Sequence, residues 1–187
     1  YGDTEVLPKD VSMKPFPLSP YAVQKLTGEM YCKTYFDNFG LRTTALRYFN
    51  VYGPYQDPNS EYSAVIPIFI KKALANKLIT IFGDGTTSRD FTFIEDVIQA
   101  NLLSAISTKS DGHVINVAYG VSFTLTELAN KVIENIGSSS TIKYADFRKG
   151  DVLHSLADLS KTKELIGYNP QFSLFSGLEK TIEFYKK

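Results

Sequence analysis

The sequence holds one cysteine, Cys32, and two histidines, His113 and His154. A single thiol excludes an internal disulfide, which fits an expected cytoplasmic setting. Ligands this few and this scattered argue against a structural zinc site. Charge of neither sign is in excess, with 20 basic and 20 acidic residues. Without a basic patch or a polybasic run, neither nucleic acid nor a membrane surface is an expected partner. Long hydrophobic runs are also missing. The stretch from Ala64 to Ile70 falls far short of the roughly 20 residues that a membrane helix needs. No signal-peptide pattern marks the opening residues. What the chain does have is 43% hydrophobic residues over 187 positions, enough to fold around one sizeable core.

Local signals then order the chain. Residues 2–18 read as a loop with Pro8, Pro15 and Pro17. Ser19 reads as an N-cap and Pro20 as the first helical position, with the helix running to about Phe39 and Gly40 as its left-handed stop. LRTTALRYFNVYG reads as one buried strand ending near Asn50. SAVIPIFIKKALANK reads as a helix that is kinked at Pro67 or starts close to it. LITIFGDG, RDFTFI, HVINVA and TIKYADF read as strands, and Glu95–Ile106 as a helix with an acidic start. A capping box, Thr124 to Glu127, opens a further helix that ends at Gly137, and two short helices close the chain. Strands alternating with helices predict an α/β fold. The glycine-rich turn that follows the first strand of a doubly wound dinucleotide fold is absent. The expected architecture is therefore the back part of a Rossmann-like parallel sheet plus a smaller α/β region.

The stretch SPYAVQK places Tyr21 and Lys25 four residues apart on the first helix, so both share one face. A phenol is a poor base at neutral pH, and a neighbouring ammonium favours the phenolate. Such a pair can take and return a hydroxyl proton. A surface tyrosine beside a solvated lysine gives the same pattern.

Five stretches extend the case: SPYAVQK, LRYFNVYGPYQDPN, AVIPIFI, GDGTTSRDFTFIEDV and GDVLHSLAD, in this order. Together they resemble the extended short-chain dehydrogenase/reductase family, nearest to its UDP-N-acetylglucosamine 4-epimerases, over almost the whole chain. The resemblance implies NAD as cofactor, a UDP-sugar as substrate and a homodimer formed through the helix bearing Tyr21 and Lys25. It implies that the glycine-rich NAD loop and a catalytic serine or threonine precede Tyr1. The chain is then expected to be a fragment, or one whose earlier part is missing, and inactive alone. Residues 1–60 would be the back half of the NAD-binding domain. Residues 61–187 would mainly bind the nucleotide sugar, with about 90–118 returning to the first domain.

Residue roles follow from the same resemblance. Tyr21 would exchange the sugar O4 proton while the C4 hydride passes to NAD and back. Lys25 would assist the tyrosinate and hold the nicotinamide ribose. Tyr48 and Phe49 would border the nicotinamide, although either is equally a core aromatic. Asn50 would bond near the nucleotide-sugar phosphates. Ala64 and Val65 would offer helix-start amides to the diphosphate. Thr80 and Phe82, on one strand face, would hold and stack on uracil. Arg89 and Arg148 would clamp the diphosphate, with a surface ion pair of Arg89 to Asp90 or Asp96 as the other reading. Asp151 would accept from a ribose hydroxyl. Ser155 would flank the sugar C2 substituent, its small size leaving room for an N-acetyl group. His154 reads as structural. A 4,6-dehydratase, a uronic-acid 4-epimerase and a non-catalytic binding or oligomerisation fragment remain as alternatives.

Overall fold

Ser19 and Gly40 bracket the longest helix as their chemistry dictates. The computed structural model describes residues 1–2, 4–57, 64–147 and 152–187. In it α1 spans Pro20–Phe39. The Ser19 hydroxyl accepts from the Ala22 N–H at 3.2 Å. Gly40 adopts φ 66°, and its N–H returns to the Phe36 carbonyl at 3.0 Å. The helix buries no residue completely.

The expected strand does end near Asn50, but it is half-buried rather than buried, and the run LRTTALRYFNVYG continues into a second short strand beyond it. Thr44–Tyr48 forms β1 and Val51–Tyr52 forms β2. Helix α2, Val65–Leu74, starts two residues before Pro67, where a missing N–H costs no helical bond. It buries Ile66, Phe69, Ile70 and Ala73, one stripe of the helical repeat. Strand β3, Ile79–Phe82, buries Ile79 and Ile81 and leaves Thr80 and Phe82 half-buried on its other side. RDFTFI also breaks, at Phe91, into β4 (Ser88–Asp90) and β5 (Thr92–Phe93). Helix α3 (Ile94–Ile106) and β6 (His113–Val117) follow. Next come β7 (Ser122–Thr124), α4 (Leu125–Ile136) and β8 (Ile142–Ala145). The chain closes with α5 (Ser160–Ile166) and α6 (Leu174–Tyr185).

Among the described residues the strands pair two by two. β1 runs parallel to β6, β2 to β5 and β3 to β8, while β4 and β7 are antiparallel. This explains both breaks. Each half of a divided run has its own partner, and β4 and β5 even differ in sense. The fold is α/β with mainly parallel pairs, as the alternation predicts.

Two apolar clusters lie beneath these pairs. In the first, α2, α4 and α6 pack with β3 around Ile70, Ile81, Leu128, Leu178 and the aromatic rings of Tyr52 and Phe93. In the second, Ile115 and Val117 of β6 meet Val97 and Ala100 of α3, with Phe49, Leu159 and Tyr168. No helix among the described residues is long and apolar enough to cross a membrane.

Candidate active site

The end of β1 and the start of α1 enclose a cavity of about 640 Å³, within the usual range for small-molecule sites. Tyr21, Lys25, Tyr48, Phe49, Asn50, Arg89, His154 and Ser155 all line it. Seven of these eight are residues to which the sequence assigns a site role; His154 is the one it reads as structural. Helical spacing puts Tyr21 and Lys25 on one face, with the Lys25 ammonium 5.2 Å from the Tyr21 ring centroid. Tyr21 is 66% exposed, so its hydroxyl is open to a ligand.

A second cavity, of about 470 Å³, opens between α2 and β3. Ala64, Val65, Thr80 and Phe82 line it, and Asn50 and Arg89 belong to both cavities. Ala64 is the N-cap of α2 and supplies no side-chain cap. The first turn of that helix, the positive end of its dipole, therefore borders the cavity without a side-chain cap from its N-cap residue. Arg148 and Asp151 lie outside the described residues.

Hydrogen bonds fix the junction of the two cavities. The Asn50 side-chain amide donates to the Asp90 carbonyl at 3.0 Å and to the Ser155 hydroxyl at 3.1 Å. Arg89 donates to the carbonyls of Ser88 and Leu153 at 2.9 and 3.0 Å. The carboxylates offered as its ion-pair partners turn elsewhere. Asp90 takes the amides of Tyr119, Gly120 and Ala157, and Asp96 takes those of Gln171 and Phe172. Burial pushes the Asp90 carboxyl up to about 6, against the pull of its three amide donors. Tyr48 commits its hydroxyl to Asn101 on α3 at 3.0 Å. Phe49 is a core aromatic that also reaches the cavity. His154 meets the Ser88 hydroxyl through Nδ1 at 2.9 Å.

Three further residues of the larger cavity carry no role in the sequence reading: Tyr1, Glu29 and Arg47. Arg47 on β1 holds Glu29 on α1 with two bonds, Nε to Oε1 at 2.8 Å and Nη2 to Oε2 at 2.7 Å. Its guanidinium carbon lies 4.8 Å from the Tyr1 ring centroid. Tyr1 donates its hydroxyl to Asn116 on β6. Glu29 had a signal, since it continues the row Tyr21, Lys25 at the same four-residue step. Arg47 and Tyr1 had none, because only the fold brings them there.

The NAD dependent epimerase/dehydratase family matches residues 1–118, more than half of the chain. The chain belongs to this family. Its fold is also that of solved family structures. One is the UDP-glucose 4-epimerase of Thermotoga maritima with UDP-glucose, at TM-score 0.94 and 38% identity, covering 100% of this chain and 59% of that one. A second is the UDP-N-acetylglucosamine 4-epimerase of Methanobrevibacter ruminantium with UDP-N-acetylmuramic acid, at TM-score 0.93 and 41% identity, covering 100% and 59%. A third is the UDP-glucuronic acid 4-epimerase of Bacillus cereus with UDP-glucuronic acid and NAD, at TM-score 0.89 and 36% identity, covering 100% and 58%. The chain likewise spans about 59% of the curated epimerase relatives that it matches.

Proposed function

We propose that this epimerase/dehydratase chain carries the proton-transfer and sugar-nucleotide part of an NAD-dependent UDP-sugar 4-epimerase. Its expected substrates are UDP-N-acetylglucosamine and UDP-N-acetylgalactosamine. One observation carries the reading: a cavity walled by Tyr21 and Lys25 shares Asn50 and Arg89 with a second cavity walled by Thr80 and Phe82. A sugar and a nucleotide joined by a diphosphate need two such compartments with a cation between them.

The residues present suit one end of NAD. Lys25 and Tyr21 offer a charge and a hydroxyl to the nicotinamide ribose, and Tyr48 and Phe49 offer aromatic surface, all on one cavity. The sequence holds no glycine-rich turn for the pyrophosphate. When bound, NAD supplies reversible hydride exchange at the sugar C4. Tyr21 as tyrosinate takes the O4 proton as C4 becomes a ketone, and returns it after the 4-keto sugar has turned over. Lys25 keeps a positive charge one helical turn from that hydroxyl. Phe82 stacks on the uracil and Thr80 bonds its edge. Arg89 and the α2 amides at Ala64 and Val65 meet the diphosphate, with Arg148 as a second cation and Asp151 on the ribose. Ser155, small and held by Asn50, leaves room at the sugar C2.

β1 paired with β6 belongs on this reading to the nucleotide-binding half, and α2, β3 and β8 to the sugar-nucleotide half. The exposed Met30, Tyr31, Tyr35 and Phe39 of α1 support a homodimer through that helix.

Incubating the full-length protein separately with UDP-N-acetylglucosamine, UDP-glucose and UDP-glucuronate, followed by proton NMR, tests the assignment. Inversion at C4 of the acetylated sugar is expected. Turnover of UDP-glucose alone would remove Ser155 from the argument. Turnover of the uronate alone would move the assignment to the uronic-acid epimerases. A 4-keto-6-deoxy product would move it to the dehydratases.

A further inference from the structure

Asp90 closes β4 and is fully buried. Its Oδ1 accepts from the N–H groups of Tyr119 and Gly120 at 3.0 and 3.2 Å, and its Oδ2 from those of Gly120 and Ala157, both at 3.1 Å. Its backbone is engaged as well. The Asp90 N–H donates to the Ser155 hydroxyl at 3.3 Å, and the Asp90 carbonyl accepts from the Asn50 amide at 3.0 Å. Asn50 and Ser155 are themselves bonded at 3.1 Å. One residue therefore ties together the end of β1, the turn after β6 and the segment around Ser155. Tyr119 and Gly120 line neither cavity, whereas Asn50 and Ser155 line the larger one.

We propose that Asp90 is a positioning residue for the sugar, holding Ser155 and Asn50 in register so that the pocket at the sugar C2 keeps its shape. This rests on the 4-epimerase reading above. The chemistry calls for a carboxylate, because two acceptor oxygens on one short stem reach both backbone segments at once. An asparagine keeps one acceptor for Tyr119 and Gly120. It sets an NH2 against the Ala157 N–H, donor against donor, and so severs the tie to the Ser155 segment. The bonds in question are made to a charged group, the stronger kind.

The test compares two variants of the full-length protein, Asp90→Asn and Asp96→Asn. Asp96 is equally buried and also holds two backbone amides, at Gln171 and Phe172, but lines neither cavity. Each is assayed with UDP-N-acetylglucosamine and UDP-glucose for kcat and KM, and by thermal unfolding. Asp90→Asn should raise KM for the acetylated sugar about tenfold or more, the scale of one lost charged hydrogen bond. It should shift the preference between the two sugars by roughly fivefold, with a smaller change in kcat. Asp96→Asn should lower Tm and leave both KM and preference unchanged. If Asp90→Asn alters Tm alone, as Asp96→Asn does, Asp90 is structural only and the proposal fails. If the wild-type protein turns over neither sugar, the functional reading fails and takes the proposal with it.

Should Asp90→Asn not fold, hydrogen exchange on the wild type decides. Binding of UDP-N-acetylglucosamine should slow exchange in residues 152–159 and also at Tyr119 and Gly120, whose N–H groups Asp90 holds and which line neither cavity. Protection confined to residues 152–159, or found neither there nor at Tyr119 and Gly120, overturns the proposal.

Discussion

Glu29→Gln should destabilise the protein by about 2–3 kcal/mol, a magnitude that follows from where Arg47 lies. The two side chains are 15% and 18% exposed and meet in a two-point fork. Removing one partner of a fully buried ion pair costs about 3–5 kcal/mol, because the other charge is left without compensation. Water reaches this pair at its edge, which places it at or just below the lower end of that range. Such a loss matters to a protein held by roughly 0.05–0.15 kcal/mol per residue. It also bears on α1, which buries no residue completely and is tied to β1 here. Urea unfolding of the full-length protein, followed by circular dichroism, measures the effect on Glu29→Gln, Arg47→Met and the double variant Glu29→Leu/Arg47→Met. Each single change should lower the midpoint with little change in slope. The double variant should lose much less than the two losses added, since an apolar pair needs no ionic compensation. Single losses below about 1 kcal/mol, or a double variant equal to the sum, would refute the reasoning.

Tyr21→Phe removes only the hydroxyl and should lower kcat by about 10²–10⁴-fold with KM little changed; a variant retaining a tenth of the activity or more would exclude Tyr21 as the proton carrier. Phe82→Ala should weaken UDP binding by about 1–3 kcal/mol, the scale of base stacking on an aromatic ring, and calorimetry with UDP alone reads it. Gly177→Ala sets two effects against each other. Alanine favours the helix by about 1 kcal/mol, but its Cβ would sit 2.2 Å from the Tyr52 oxygen and 2.8 Å from the Phe93 ring. Overpacking costs about 1–3 kcal/mol, so a lower Tm is expected, and a raised one would mean that the Tyr52 ring gives way. Asp90, raised from 3.8 to about 6, has a defined sign. The native state holds this proton more tightly than the unfolded chain, so its contribution is complete below about pH 4 and is lost as pH rises through 6. The stability difference between wild type and Asp90→Asn should shrink over that window and level off above it.

What the sequence made legible is what local chemistry decides. Ser19, Pro20 and Gly40 set both ends of α1, and Thr124 with Glu127 set the start of α4. The row Tyr21, Lys25 is visible because helical spacing alone aligns it. The short strand β2 beyond Asn50 and the break at Phe91 were not legible, since each piece answers to a partner strand far along the chain. Strand β7 was hidden because it is three residues long and its last, Thr124, is the cap of α4. Asp90 stood next to an arginine and read as an ion-pair partner, yet its donors are backbone amides at residues 119, 120 and 157. Backbone amides leave no mark in side-chain identity.

Asn50 and Arg89 stand in the walls of both cavities, so what one chamber holds is felt by the wall of the other. A molecule lodged only between α2 and β3 can tilt Arg89 or Asn50 and so narrow the chamber beside Tyr21 without entering it. Rivalry between two inhibitors of this protein therefore does not require that they overlap. Two compounds of quite different outline, each filling one chamber, would still touch the same two side chains from opposite sides of this common partition.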